Sequence, residues 1–204
     1  MEKNSELRKQ AYEAIDGHWS LSALITFVYM LFNIGISCIP KIGSPLQILL
    51  LPMAWAYSIL FLRLIRKEEI RFSQIFDGFT NEYLRYLGTL LLQGVYIILW
   101  TLLLVVPGVM KACSYSMTYY ILKDEPLSYN RAIEKSMLMM EGYKMKFFLM
   151  NLYFIGWGIL CLLTLGIGFL WLGPYVTTCN AAFYEDVKAD FEAKMQTANT
   201  AAAE

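Results

Sequence analysis

The feature that most constrains this sequence is a series of long apolar runs that contain no charged side chain. A helix of about 20 apolar residues crosses the hydrocarbon core of a bilayer, which is about 30 Å thick. Transmembrane strands would need segments of about ten residues with alternating polarity, whereas these runs are continuous. Only 17% of the residues are charged, against about a quarter in soluble domains. The sequence therefore predicts an all-α, polytopic membrane protein.

The apolar runs predict six transmembrane helices, arranged as three hairpins. Their approximate bounds are 20–38, 46–62, 84–106, 109–122, 145–163 and 169–184. Pro107 and Gly108 predict the turn between the third and fourth spans, and Gly166 the turn between the fifth and sixth. Residues 39–45, which include Pro40 and Lys41, predict the first turn. Pro52 predicts a kink in the second span, and Pro174 a kink or a late start in the sixth, because proline lacks the N–H that a helix interior needs.

Three segments outside the spans have the pattern of amphipathic helices. They cover residues 4–16, 72–83 and 128–142. In each, apolar side chains recur at the spacing of one helix face. Ser128 fits the N-cap of the third helix, and Gly142 fits its C-terminal stop. We expect all three helices to be cytoplasmic, with the second lying in the plane of the membrane interface.

The distribution of charge predicts the orientation of the chain in the membrane. All Lys and Arg residues except Lys41 and Lys111 fall on the same side of the predicted spans as the N terminus, together with all 17 acids. Basic residues are concentrated in cytoplasmic loops of membrane proteins. We therefore place both termini in the cytoplasm.

The order of the segments suggests an internal repeat within one integral membrane domain, residues 1–187. An amphipathic helix that ends near an acid and a glycine, a span, a turn and a second span recur over about 1–68, 69–127 and 128–187. Parallel repeats of this kind often surround a shared central site. A protein with six evenly spaced spans would also look periodic, so both interpretations remain open. Residues 188–204 are predicted to be a cytoplasmic tail that frays from Thr197 onward.

Lys111 is the basic residue with the most unusual position, because it lies inside an apolar segment of membrane length. A lysine within a span costs a few kcal/mol at the middle of the bilayer and less near its surface. No carboxylate is predicted on that side of the membrane. Lys111 is therefore a candidate contact for an anion or a lipid headgroup; alternatively, its side chain snorkels to the interface.

Polar side chains in the spans are candidates for lining a cavity. They are Gln93, Tyr115, Ser116, Asn151 and Asn180. Amides in membrane helices also form hydrogen bonds between helices, worth about 0.6–2 kcal/mol, so both interpretations remain open. Three glycines are predicted to let helices approach closely: Gly94, Gly156 and Gly158.

Catalytic chemistry has little support in the sequence. His18 is the only histidine, and the four cysteines form no Cys-x-x-Cys pair. No metalloprotease motif, phosphate-binding loop or nucleophile elbow is present, and no basic stripe suggests nucleic acid. We predict no catalytic, metal or cofactor-binding residue, no cofactor and no nucleic-acid partner, and hence a protein that is not an enzyme.

Several short motifs resemble a known family. They are Val106-Pro107-Gly108-Val109-Met110-Lys111-Ala112, Tyr115-Ser116-Met117, Ser136-Met137 with Met140, Gly142 and Lys144, Phe154-Ile155-Gly156-Trp157, Leu165-Gly166-Ile167-Gly168, Pro174-Tyr175 and Phe183-Tyr184. Together they resemble the uncharacterised bacterial membrane family called domain of unknown function 975, which is distantly similar to the membrane domain of some glycerophosphodiester phosphodiesterases. The resemblance implies a bacterial inner-membrane protein with about six helices, and no established activity or catalytic residues.

Two hypotheses for the function follow. The first is a non-enzymatic interaction or accessory protein that handles lipids or partner membrane proteins, because broad amphipathic surfaces accompany few buried charges. Its expected partners are the lipid bilayer, bound phospholipid, and other membrane proteins or further copies of the chain. The alternative is a transporter or channel for a small or amphiphilic solute. A close-packed, dry middle favours the first hypothesis, and a water-accessible cavity near Lys111, Tyr115 and the amides favours the second.

Overall fold

The structure is a computed structural model that describes residues 2–39, 43–79 and 82–203. Within these ranges the regular secondary structure is helical, without a strand. The α-helices are α1 (Asn4–Ile15), α2 (Trp19–Ser37), α3 (Gly43–Leu49), α4 (Leu51–Ile65), α5 (Tyr83–Leu103), α6 (Val105–Tyr115), α7 (Thr118–Asp124), α8 (Tyr129–Met139), α9 (Lys144–Leu163) and α10 (Phe169–Ala203). Phe72–Phe79 form a 3-10 helix. Pro40 and Lys41 of the predicted first turn lie outside the described residues.

Four helical stretches in the described residues are long and apolar enough to cross a membrane. They are Trp19–Ser37, Leu46–Ile65, Tyr83–Leu103 and Lys144–Leu163. They overlap the first, second, third and fifth predicted spans, which confirms an all-helical chain with helices of membrane length. The second stretch is interrupted at Leu50, between α3 and α4, and Pro52 stands in the first turn of α4. A proline is accommodated there because the first N–H groups of a helix have no acceptor within it.

The predicted fourth span differs from the structure. It consists of α6 and α7, and the helix is interrupted at Ser116 and Met117. Hydroxyl groups on either side of the interruption bond to nearby backbone carbonyls: Ser116 Oγ donates to Cys113 at 2.8 Å and Thr118 Oγ1 donates to Tyr115 at 2.7 Å. Such bonds offer the backbone an alternative to helix geometry. Neither α6 nor α7 is long enough to cross a membrane by itself.

The predicted sixth span also differs. It is the first half of α10, a helix of 35 residues that contains Pro174 and continues to Ala203. The helix starts at Phe169, so the proline does not delay it, and the frayed tail expected from Thr197 is helical instead. Proline removes the amide donor to the carbonyl of Leu170. On the following turn, Thr177 Oγ1 and Thr178 Oγ1 donate to the carbonyls of Gly173 and Pro174 at 3.0 and 2.8 Å.

The turn expected at Pro107 and Gly108 lies a few residues earlier. Leu104 is extended, with φ −160° and ψ 140°, and separates α5 from α6. Pro107 and Gly108 belong to the first turn of α6, where the missing N–H of proline is tolerated. A Cβ atom on Gly108 would lie 2.3 Å from Thr101 Oγ1 and 2.8 Å from Thr101 Cα. Gly108 therefore permits the close contact between α5 and α6.

The other turn glycines stand where a left-handed conformation is required. Gly142 follows α8 with φ +82°, and Gly166 follows α9 with φ +85°. A residue without Cβ adopts this conformation without steric cost. By contrast, nothing lies within 4 Å of a Cβ built on Gly94 or Gly156. The close helix contacts predicted at these two glycines are therefore not present.

The amphipathic segments pack against the rest of the protein. In α1, Leu7, Ala11 and Ile15 are completely buried, and the helix contacts α4 and α10. Helix α8 contacts α5, α6, α7 and α10. The middle segment differs from the prediction, because Phe72–Phe79 is a 3-10 helix that buries Ile75 and Gly78. Gly78 rests on the backbone of α4, and a Cβ there would lie 2.1 Å from the carbonyl oxygen of Pro52.

The membrane-length helices differ in how deeply they are buried. The apolar window that contains α4 is 56% buried, whereas those of α2, α5 and α9 are 17–22% buried. Helix α4 contacts α7 and α10 on the inside. Each outer helix contacts the inner segment that follows it in the chain and one other inner segment: α2 contacts α3 and α10, α5 contacts α6 and α4, and α9 contacts α10 and α6. Helix α5 also contacts α8, and both α2 and α5 contact the 3-10 helix. The same pattern of contacts thus occurs three times along the chain.

The outer surface is strongly apolar near the helix connections. Leu102, Val106 and Ile98 around the α5–α6 connection are 84%, 71% and 67% exposed, and Leu165 after α9 is 94% exposed. Soluble proteins rarely expose contiguous apolar surface on this scale. The surface is compatible with surrounding lipid, as the four membrane-length helices are.

Candidate functional site

Lys111 contacts aromatic rings rather than a carboxylate. Its Nζ lies 4.9 Å from the ring centre of Trp100 and 5.9 Å from that of Tyr115. The same nitrogen is 3.8 Å from Met137 Sδ on α8. Lys111 and Tyr115 are four residues apart and share one face of α6, opposite Trp100 on α5. No carboxylate in the described ranges forms an ion pair with Lys111, so cation–π attraction holds its charge between α5 and α6.

Gln93 and Tyr115, two of the predicted cavity residues, pack against each other. Gln93 Nε2 donates to the Tyr115 carbonyl at 3.3 Å, and the two residues are 7% and 3% exposed. The ring of Tyr96 lies 6.3 Å from that of Tyr115. Gln93 Oε1 is buried without a hydrogen-bond partner among the described residues. The structure thus joins Lys111, Gln93 and Tyr115 in one cluster between α5 and α6, which we call the Lys111 cluster.

The remaining predicted cavity residues lie elsewhere. Asn151 Nδ2 donates to the Phe147 carbonyl at 3.0 Å and reaches Asn180 Oδ1 at 3.5 Å, which links α9 to α10. Ser116 bonds within its own segment and is half-buried. The five polar residues therefore do not form one ring: they divide between the α5–α6 contact, the α9–α10 contact and the α6–α7 interruption.

The sequence reasoning missed an ion cluster that joins two helix ends to the middle of a third helix. Arg66, just after α4, donates to both carboxylate oxygens of Asp124 at 2.8 and 2.7 Å, and its Nε donates to Glu185 Oε1 at 2.7 Å. Lys188 Nζ and Tyr184 Oη donate to Asp124 Oδ2 at 2.6 and 2.8 Å. We call these five residues the ion cluster. It links the end of α4 and the middle of α10 to the carboxylate of Asp124, at the end of α7.

A signal for the ion cluster exists in the sequence. Arg66, Asp124 and Glu185 each follow closely after the second, fourth or sixth predicted span. Segments that leave the membrane at the same side place such charges at similar depth, where opposite charges attract. The signal is the recurrence of a charged residue at the same place in each predicted repeat.

The ion cluster shifts the titration of its members. Burial disfavours the charged carboxylate of Asp124, but the hydrogen bonds from Arg66, Lys188 and Tyr184 outweigh burial and hold its pKa well below the ordinary value of 3.8. The hydrogen bond to Asp124 is the largest influence on Arg66, and it raises the pKa of the guanidinium. Asp124 is therefore ionised throughout the physiological range of pH.

Two apolar grooves open on the outside of the helices. The first, with a volume of about 500 Å³, lies among α1, α2, α9 and α10 and is lined by Tyr12, Trp19, Tyr153, Trp157, Cys161, Gly168, Trp171, Leu172 and Tyr175. We call it the aromatic groove. The second, of about 410 Å³, lies between α6 and α9 and is lined by Val105, Val106, Val109, Met110, Cys113, Lys144, Met145 and Phe148. No member of the Lys111 cluster lines either groove.

The inner helices meet without comparable space. The rings of Tyr120 and Tyr184 stack with their centres 5.0 Å apart, and Trp55 Nε1 donates to the Tyr119 carbonyl at 2.9 Å. Met117 is completely buried in the same core. Within the described residues, no group of three His, Cys, Asp or Glu side chains is placed to bind a metal ion.

Comparison with known proteins gives one match. No curated protein and no solved structure matches the chain. Residues 102–190, a little under half of the chain, match the family model described as "Protein of unknown function (DUF975)". They begin near the end of α5 and finish within α10. The similarity to a phosphodiesterase membrane domain and the bacterial origin stay predictions, whereas the match supports assignment of residues 102–190 to an uncharacterised family.

Proposed function

We propose that this chain is a non-enzymatic integral membrane protein that acts as an interaction or accessory protein for lipids and partner membrane proteins. The observation that carries the proposal is the close packing where α4, α7 and α10 meet. Met117, Ile121 and Phe183 there are at most 1% exposed. A transporter needs a hydrated path between helices, and side chains fill this space. Along the apolar helices, the open volume lies instead in grooves on the outside, where lipids and membrane partners would bind.

The proposal includes a topology with six membrane segments. The segments are α2, α3–α4, α5, α6–α7, α9 and the first half of α10, and the ion cluster and both termini face the cytoplasm of a bacterial inner membrane. The exposed apolar residues around the α5–α6 connection support this, because water would make such a surface unfavourable. The recurring contact pattern supports three similar units arranged around the inner helices.

Cysteine labelling tests the topology. In variants that lack the four native cysteines, we expect Lys67→Cys to react with a membrane-impermeant maleimide only after the cytoplasmic side is opened. Leu165→Cys is expected to react from the outside of intact cells. Lys67 follows α4 and is next to Arg66 of the ion cluster, and Leu165 lies in the turn after α9. Both side chains are exposed. Reaction of both cysteines from the same side would contradict the six-segment topology.

Lipid retention and solute flux together test the proposed function. We expect the protein, purified in a mild detergent, to retain phospholipid that native mass spectrometry detects as discrete mass increments. Reconstituted vesicles are expected to match protein-free vesicles in their permeability to small neutral, cationic and anionic solutes, because the middle of the protein is packed. Loss of all lipid in mild detergent contradicts the lipid-handling proposal. Protein-dependent flux would support the transporter hypothesis instead.

A further inference from the structure

The aromatic groove combines large apolar side chains with an opening to the surface. Its wall contains three tryptophans and three tyrosines. Trp157 and Trp171 are both 49% exposed, so their rings form the rim as well as the wall. Its volume of about 500 Å³ lies within the range of about 300–1,000 Å³ that is typical of ligand sites. Tryptophan and tyrosine are enriched where membrane proteins cross the level of the lipid headgroups.

A cation stands beside this groove. The guanidinium carbon of Arg8 on α1 lies 4.2 Å from the ring centre of Tyr153, which lines the groove. In the parts of the chain that the structure describes, the Arg8 side chain forms no ion pair, whereas the neighbouring Lys9 has Glu13 at 3.9 Å. Tyr175, another residue of the groove wall, donates its hydroxyl to the Arg8 carbonyl at 3.3 Å. Tyr175 thus binds the backbone of Arg8, and Tyr153 contacts its guanidinium through a cation–π interaction. No described residue accepts a hydrogen bond from that guanidinium.

We propose that the aromatic groove binds an anionic phospholipid of the bilayer, with an acyl chain against Trp157 and Trp171 and the phosphate at Arg8. An apolar wall suits hydrocarbon, and a guanidinium without a carboxylate partner is complementary to a phosphate, to which it donates two parallel hydrogen bonds. A zwitterionic lipid would fill the same wall, but its cationic group would lower the electrostatic gain. The site rests on the proposed lipid-handling function and specifies where the lipid binds and which headgroup charge it carries.

The test compares two lipids and two matched charge variants. Native mass spectrometry of the full-length protein, titrated with phosphatidylglycerol or phosphatidylcholine, gives an apparent affinity for each. Arg8→Gln is expected to weaken phosphatidylglycerol binding about tenfold, the effect of losing a charge-assisted hydrogen bond, and to weaken phosphatidylcholine binding less, because the choline group already offsets the charge of its phosphate. Lys9→Gln removes the same charge one residue away on an exposed position and is expected to leave both affinities unchanged.

A third variant tests the wall of the groove separately. Trp157→Ala removes a half-exposed aromatic side chain from the groove wall, and it is expected to weaken the binding of both lipids to a similar degree. Equal effects of Arg8→Gln and Lys9→Gln would overturn the site, because they would indicate a general charge effect. A loss of phosphatidylglycerol preference in Lys111→Met but not in Arg8→Gln would also overturn it. If the wild-type protein bound neither lipid, the proposed function would fail together with the site.

Discussion

Replacing Asp124 by asparagine is expected to lower the free energy of unfolding by about 2–3 kcal/mol. The carboxylate is 10% exposed and accepts hydrogen bonds from Arg66, Lys188 and Tyr184. Asparagine keeps the shape but removes the charge that compensates two cations, and its NH2 group would face donors. The expected loss is below the value for a fully buried pair, because Arg66 and Lys188 are 26% and 28% exposed. Denaturation in mixed detergent micelles, followed by circular dichroism, measures the change.

A surface variant supplies the control for Asp124. Glu69 pairs with Arg71 at 3.1 Å, and their side chains are 85% and 73% exposed. Solvent screens such pairs, so Glu69→Gln is expected to change the free energy of unfolding by less than about 0.5 kcal/mol. If both variants lowered the stability equally, the ion cluster would have no special role in holding α4, α7 and α10 together.

The pH dependence follows from the lowered pKa of Asp124. A group whose pKa is lower in the folded state stabilises the fold above its unfolded pKa, here 3.8, and loses this contribution as the pH falls. The difference in stability between the wild type and Asp124→Asn is therefore expected to narrow by about 1 kcal/mol between pH 6 and pH 3. A difference that stays constant over this range would mean that the carboxylate has an ordinary pKa in the folded protein.

Continuous apolar runs were sufficient to predict the outer helices. The predicted first, third and fifth spans correspond to α2, α5 and α9, because continuous apolar sequence leaves a helix as the one way to satisfy the backbone in lipid. The inner segments were harder to predict. The interruption of the fourth span depends on where the hydroxyls of Ser116 and Thr118 find carbonyls, and hydrophobicity does not contain that information.

The positions of turns and the type of short helices could be predicted from the sequence only in part. Proline and glycine together suggested a turn at 107–108, but the same two residues also suit the first turn of a helix, and the chain reverses at Leu104. The choice depends on the approach of Thr101, which lies in another helix. The same limit applies to Phe72–Phe79, where the contact of Gly78 with the backbone of α4 accompanies a 3-10 helix instead of the α-helix that its spacing predicts.

The candidate site was predictable residue by residue but not as an assembly. Lys111 stood out because a charge in an apolar segment is costly, and Gln93 and Tyr115 because polar groups in spans need partners. Which of these side chains contact one another depends on the register of α5 against α6, and this register cannot be read from the sequence. Trp100, the nearest ring to Lys111, was missed because an aromatic residue in an apolar run carries no distinguishing signal.

A second large loss of stability is expected from Gly108→Ala, because Gly108 fixes the register of α5 against α6. The Cβ of Gly108→Ala would lie 2.8 Å from Thr101 Cα, a backbone atom that cannot move without shifting α5. We expect the variant to lower the free energy of unfolding by about 3 kcal/mol, the upper part of the range for overpacking. Since the same shift would separate Trp100 from Lys111, the accessibility of Trp100 to a collisional quencher in detergent micelles is expected to rise with the loss of stability.

Gly94 in α5 supplies the matched control for Gly108, and alanine there is expected to change the free energy of unfolding in the opposite direction. A Cβ on Gly94, in the interior of α5, meets nothing within 4 Å. Alanine is favoured over glycine in a helix interior by about 0.5–1 kcal/mol, because the unfolded chain loses less conformational entropy. Gly94→Ala is therefore expected to raise the free energy of unfolding and leave Trp100 fluorescence unchanged. Destabilisation by both alanines would mean that glycines in this helix pair act through backbone flexibility, and the close approach at Thr101 would not explain Gly108.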